Sequence, residues 1–185
     1  MQFKNILLSS VLALGAAASA SAPNATNVAG TLLNRFAELD IGYQDTVYRL
    51  NHLAQGTGKI TANDVVSTFN KTVSSEAKDL SSSQPSIPFS DAVQLVLCQS
   101  AHSVHLSIIA VSNAFTDNAA QFNADQRNTL QDAFTKVNDE TGRFVINVAS
   151  KALPVCLSTI QTDDKAINKA LVGAVYALDP SEASS

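Results

Sequence analysis

The sequence predicts an all-α protein, a five-helix bundle with a central apolar helix, and three observations carry that expectation. Apolar residues recur in steps of three and four along five separate segments. No run of alternating β-branched residues competes with them. Ala, Val, Leu, Ser, Asn and Asp dominate the composition, a mixture that suits packed helices with polar caps and polar outer faces.

The first segment aligns Leu32, Phe36, Leu39, Tyr43, Val47, Leu50 and Leu53, and it ends near "GTGK". The second follows a Thr61 cap with Val66, Phe69, Val73, Ala77 and Leu80, and stops in the Ser/Pro loop "SSSQPSIP". The third starts at a Ser90 cap and runs Val93, Leu97, Ala101, Val104, Ile108, Val111, Phe115, with Leu95, Cys98, Leu106 and Ile109 as a second apolar strip. A helix apolar nearly all round belongs in the middle. The fourth is capped by Asn123 with Gln126 three residues on, the spacing of a capping box, and aligns Leu130, Phe134, Val137, Thr141, Phe144, Val148 and Ala152 before Pro154. The fifth aligns Ile160, Asp164, Ile167, Leu171, Ala174 and Leu178.

Ahead of these helices, residues 1–20 read as a secretory signal peptide. Lys4 is the single positive charge, Ile6 to Ala18 is an apolar or small-residue run, and "ASASA" supplies small residues for cleavage. Residues 21–29 are expected to be a flexible N-terminal segment, 30–179 the helical-bundle domain and 180–185 a disordered tail. The apolar leader is too short for a permanent anchor, and no later stretch of the sequence reaches 18 uninterrupted apolar residues, so no transmembrane segment is expected. The expected location is extracellular, with association to a cell wall as one form of it.

The whole chain has 12 basic and 16 acidic residues, and removing the leader with its Lys4 leaves 11 against 16, a net charge of −5. That excludes the basic face a nucleic-acid partner needs. Cys98, His102, His105 and Ile109 share one face of the third helix. With only His52 and Cys156 besides them, these residues are too few for a metal site with its own supporting shell, so no metal is expected. In an exported chain with two cysteines, pairing is the expectation, giving a Cys98–Cys156 disulfide and making this face part of a wall.

No Gly-x-Ser-x-Gly elbow, His-Glu-x-x-His or phosphate-cradling glycine loop is present. The acidic neighbours Asp139-Glu140 and Asp163-Asp164 point about 100° apart on a helix and read as caps and solvated surface. The reading is therefore not an enzyme, with no cofactor. Two sequons place candidate N-glycosylation at Asn24 and Asn70.

The stretches "LLNRFAELDIGYQDTVYRLNHLAQGTG", "ITANDVVSTFNKTVSSEAKDL", "LQDAFTKVNDETGRFVINVASKALP" and "AINKALVGAVYAL", in that order around a Ser/Pro loop and a central apolar helix, resemble the fungal hydrophobic surface-binding protein A family, which also contains cell-wall galactomannoproteins. The resemblance covers the chain from about Gly30 to Leu178. It departs from many members in its two cysteines and in lacking a Ser/Thr-rich anchored tail. What it implies is a secreted, helical, non-catalytic protein; monomer and homodimer both stay open. Such a protein adsorbs to a hydrophobic surface or encloses a long-chain fatty acid or other lipid. The alternatives are a structural or antigenic wall protein and an effector that binds a host protein.

On that reading the inward stripes line a pocket for one acyl chain, built from Phe36, Leu39, Tyr43, Phe69, Val73, Leu97, Ala101, Ile108, Phe134, Thr141, Phe144 and Leu171. No Lys or Arg lies on the inward stripes, so a carboxylate head group is expected at the bundle end, near Tyr43, Ser107 or Thr141, or in solvent. If the same faces fill one another to ordinary interior density, these residues are plain core.

Overall fold

The computed structural model describes residues 23–56, 58–79 and 88–179. The expected leader, most of the Ser/Pro loop, Leu80 and the 180–185 tail lie outside the described residues, as do the side chains of Asn24 and Ala77.

Among the described residues the chain is helical, with no strand. Five long helices form: α1 (Pro23–Ala54), α2 (Ala62–Asp79), α3 (Asp91–Asn118), α4 (Ala124–Phe144) and α5 (Leu157–Ala177). The all-α five-helix bundle is thus the architecture observed. Helix α4 is prolonged by a π turn, Val145–Ala149, and by Ser150–Ala152. At Leu153 and Pro154 the chain then turns through 118° into α5.

Two helix starts follow the capping chemistry written in the sequence. The Thr61 hydroxyl accepts from Asp64 N–H at 3.2 Å while the Asp64 carboxylate accepts from Thr61 N–H at 2.8 Å. Asn123 and Gln126 exchange the same pair of bonds at 3.0 and 2.9 Å. The Gln126 amide also donates to Asn63 Oδ1 at 2.7 Å, so α2 and α4 begin side by side and run parallel. Helix α1 departs from expectation. It begins at Pro23 instead of after a flexible 21–29 segment, because proline suits a first helical turn and Ala29, 1% exposed, is already in the core.

Contacts pass round a closed ring in the order α1, α3, α5, α4, α2 and back to α1. Helices α1, α3 and α5 run in one direction as a layer with α3 in its middle, and α2 and α4 run the other way as a second layer. Asp40 beside Ser103 and Ser107 fixes α1 on α3, Cys98 bonded to Cys156 fixes α3 on α5, and Asn168 donating to Asn138 at 3.3 Å joins α5 to α4. Helix α3 makes the two most extensive interfaces, with α1 and α5, but it is not sheathed. Leu95 and Leu106 of its second apolar strip are 57% and 53% exposed. With the following turn, α3 is also long and apolar enough to cross a membrane (Asp91–Gln121), and half of its 18-residue apolar window is buried in the bundle.

Most of the core stripes are those read from periodicity, but Val47 and Leu53 of α1 and Asp164 of α5 are only partly buried, and on α1 Thr46 is fully buried instead. On α2 it is Val65, fully buried, that stands above Phe69 and Val73, while Val66 is only partly buried. Tyr43, Phe69, Phe115, Phe122 and Phe134 form an aromatic cluster across the two layers, with ring centroids 4.8 to 6.2 Å apart. Helices α1 and α2 meet closely at Gly42, where a methyl group would lie 2.5 Å from Thr72 Oγ1. The start of α3 is held by the buried Gln94, which donates to Phe89 O at 2.6 Å and accepts from Val155 N–H at 3.1 Å.

Candidate functional site

All twelve residues expected to line an acyl pocket are buried, none more than 3% exposed. The fold brings six of them together. Phe36 and Leu39 from α1, Ala101 and Ile108 from α3, and Thr141 and Phe144 from α4 surround one void, with Val104 and His105 completing its wall. The void measures about 10 Å³, room for about one water molecule, whereas ligand sites usually measure about 300–1,000 Å³. The expected chain-length channel is not open here. Large and small residues from the facing stripes interlock, and Phe36 closes on Phe144 edge to face at 5.6 Å.

The other six residues divide. Tyr43, Phe69 and Phe134 belong to the aromatic cluster, and Val73 and Leu97 lie elsewhere in the core. Leu171, with Phe134, forms the floor of a surface groove between α4 and α5 of about 360 Å³, beside Asn138, Asn168, Val172 and Tyr176. Val172 and Tyr176 are 62% and 63% exposed. Of the expected head-group positions, Thr141 reaches the void. Ser107 instead donates to the buried Asp40, and Tyr43 sits among the aromatics.

His105 links the void to a polar seam between α3 and α5. Its Nδ1 lies 3.4 Å from Asp163 Oδ2, and His102 Nδ1 lies 2.7 Å from the same oxygen. One turn earlier, Cys98 and Cys156 form the expected disulfide, with Cα atoms 6.1 Å apart. The shared face of Cys98, His102 and His105 is therefore the wall against α5. Among the described residues no cluster of three or more His, Cys, Asp or Glu side chains is arranged to hold a metal ion.

Burial lowers the His105 pKa below its ordinary 6.5, and the Asp163 hydrogen bond opposes that shift only in part. The His105 ring meets Phe144 edge to face at a centroid distance of 6.2 Å.

Sequence reasoning missed His105 as a lining residue, because its helical angle groups it with Cys98 and His102 and away from the main stripe. It also placed two acidic pairs at the surface. Asp163 is in fact drawn into the α3–α5 seam, with its side chain 15% exposed. Glu140 is 5% exposed, takes Arg143 Nη1 at 2.8 Å on one oxygen, and has no partner on the other. The Asn70 sequon lies inside α2, its Thr72 buried and donating to Thr68 O at 3.1 Å.

Comparison with protein-family models, with curated proteins and with solved structures gives no match for this chain.

Proposed function

We propose that this protein is a secreted, non-catalytic binder of long-chain lipids, of the kind its sequence resemblance implies, and that the lipid chain enters between the helices at the void. The observation that carries this reading is the convergence of Phe36, Leu39, Ala101, Val104, Ile108 and Phe144, from α1, α3 and α4, on one small void. Phe144, which walls it, stands immediately before the π turn Val145–Ala149. Such turns are local departures from ideal helix and occur often at functional sites. Shifting the end of α4 away from α1 would join the void to the apolar stripes on either side. Each methylene buried there contributes roughly 0.8 kcal/mol before ordering costs.

Extraction of the purified protein with organic solvent tests this. Long-chain lipid is expected in stoichiometric amount from material made in a lipid-replete host. An extract without lipid, from protein that also fails to take up added lipid, would contradict it.

A second reading, adsorption to hydrophobic surfaces, draws support from the α4–α5 groove with its exposed Val172 and Tyr176. On that reading the protein depletes onto wax or polystyrene beads with its helicity intact, and Val172→Asp weakens the adsorption.

A further inference from the structure

We infer that the lipid accepted at the void carries a neutral, hydrogen-bond-donating head group, a hydroxyl rather than a carboxylate, and that His105 Nε2 receives it. This rests on the lipid-binding reading above and specifies its ligand.

The argument begins with Asp163. An ionised carboxylate only accepts hydrogen bonds, so the two imidazole nitrogens that reach Asp163 Oδ2, His102 Nδ1 at 2.7 Å and His105 Nδ1 at 3.4 Å, both present N–H groups to it. The bond made by one ring nitrogen fixes the role of the other. A neutral His105 with its proton on Nδ1 has a bare lone pair on Nε2, and Nε2 has no hydrogen-bond partner among the described residues.

His105 is 4% exposed and lines the void, whose other walls are apolar except for Thr141. The Thr141 hydroxyl hydrogen is already committed to the carbonyls of Val137 and Asn138, each at 3.0 Å. Among the lining side chains, His105 Nε2 and Thr141 Oγ1 can accept, and none has an uncommitted hydrogen to donate. A head group that donates is matched there, and one that only accepts is not.

Charge points the same way. Asp163 and Asp164 are the acidic groups acting on His105, and its lowered pKa keeps the ring neutral at neutral pH. A ligand carboxylate would have to leave water for a buried position beside these carboxylates, with nothing to donate to it. An alcohol carries no charge out of water, and a hydrogen bond to Nε2 offsets the hydration it gives up. A volume of about 10 Å³ admits a hydroxyl oxygen; the chain beyond it needs the Phe36–Phe144 contact to part. Long-chain alcohols, monoacylglycerols and sterols share this head chemistry.

The test is displacement of Nile red, a neutral apolar probe, from the full mature protein near neutral pH by dodecan-1-ol and by dodecanoate. The alcohol is expected to displace at a concentration about tenfold lower than the carboxylate. In His105→Leu the two should act at similar concentrations, and His105→Gln, whose amide oxygen accepts, should restore part of the preference. Because a core variant can fail to fold, nitrogen-15 NMR of the unmodified protein provides an independent measurement. It should show His105 as the Nδ1–H tautomer, with the Nε2 resonance shifting on addition of dodecan-1-ol.

Equal displacement by the two ligands, or stronger displacement by dodecanoate, would overturn the inference. So would an Nε2–H tautomer. Nile red binding that neither ligand reverses would overturn it while leaving apolar binding in place. Absence of any apolar binding would overturn both this inference and the reading it rests on.

Discussion

Phe36 on α1 and Phe144 on α4 meet edge to face across the bundle, ring centroids 5.6 Å apart and planes at 89°. Their contact closes the void that Leu39, Ala101, Val104, His105, Ile108 and Thr141 complete. Truncating one ring removes both the area it buries and the aromatic pairing. Phe144→Ala is expected to destabilise the fold by about 3–4 kcal/mol, measured by urea unfolding. It should also enlarge the void enough to raise Nile red binding. A loss below about 1 kcal/mol would mean that this contact does not hold the layers together.

The disulfide between Cys98 and Cys156 closes a loop with a sequence separation of 58. On the chain-entropy account it stabilises by about 4 kcal/mol, so Cys98→Ser with Cys156→Ser should lower the urea midpoint accordingly. Alkylation of the unreduced protein should add no mass, and alkylation after reduction should add two tags.

Gly42 is where α1 approaches α2, and an added methyl group would lie 2.5 Å from Thr72 Oγ1 and 2.7 Å from its Cγ2. Gly42→Ala is expected to cost about 1–3 kcal/mol through overpacking, despite alanine's better helix propensity. Adding Thr72→Ala removes both of those atoms, so the double variant should recover most of the loss. Additive losses in the double-mutant cycle would show that the two positions do not compete for space.

The pH dependence follows from His105. Its pKa is held below 6.5 in the folded chain, so between that lowered value and 6.5 the unfolded state binds more protons. Stability is then complete above pH 6.5 and falls as the pH drops through this window. Asp64 acts in a separate window. Bonds from the Thr61 N–H and O–H groups hold its carboxyl below 3.8, so its contribution is lost only at more acidic pH. Urea midpoints at pH 7.5 should exceed those at pH 5.5, and His105→Phe should remove much of the difference. An unchanged difference would place its origin elsewhere.

Periodicity was sufficient to locate the helices and most of their buried faces, since the stripe Leu130, Phe134, Val137, Thr141, Phe144 is buried as spaced. Capping at Thr61 and Asn123 was legible because those bonds are local. What periodicity cannot supply is which face meets which. The partners of Asp40 and Asp163, and the Val155 N–H that Gln94 accepts from, lie 58 to 67 residues away in sequence, so their burial could not be read from spacing. The same limitation makes Leu95 and Leu106 read as an enclosed strip, although one side of α3 faces solvent. All twelve pocket candidates are buried. Whether facing side chains leave a channel or fill it depends on packing, and here they fill all but about 10 Å³.

The measurement that tests lipid entry at the void most directly uses the absence of tryptophan from the chain. Phe144→Trp places a single indole at the wall of the void, and titration with a long-chain alcohol brominated in mid-chain reports contact by quenching. Saturable quenching at about one alcohol per protein, reversed by unbrominated alcohol, is the predicted result. A folded variant whose indole stays unquenched while lipid binds, or which binds no lipid, would contradict the account.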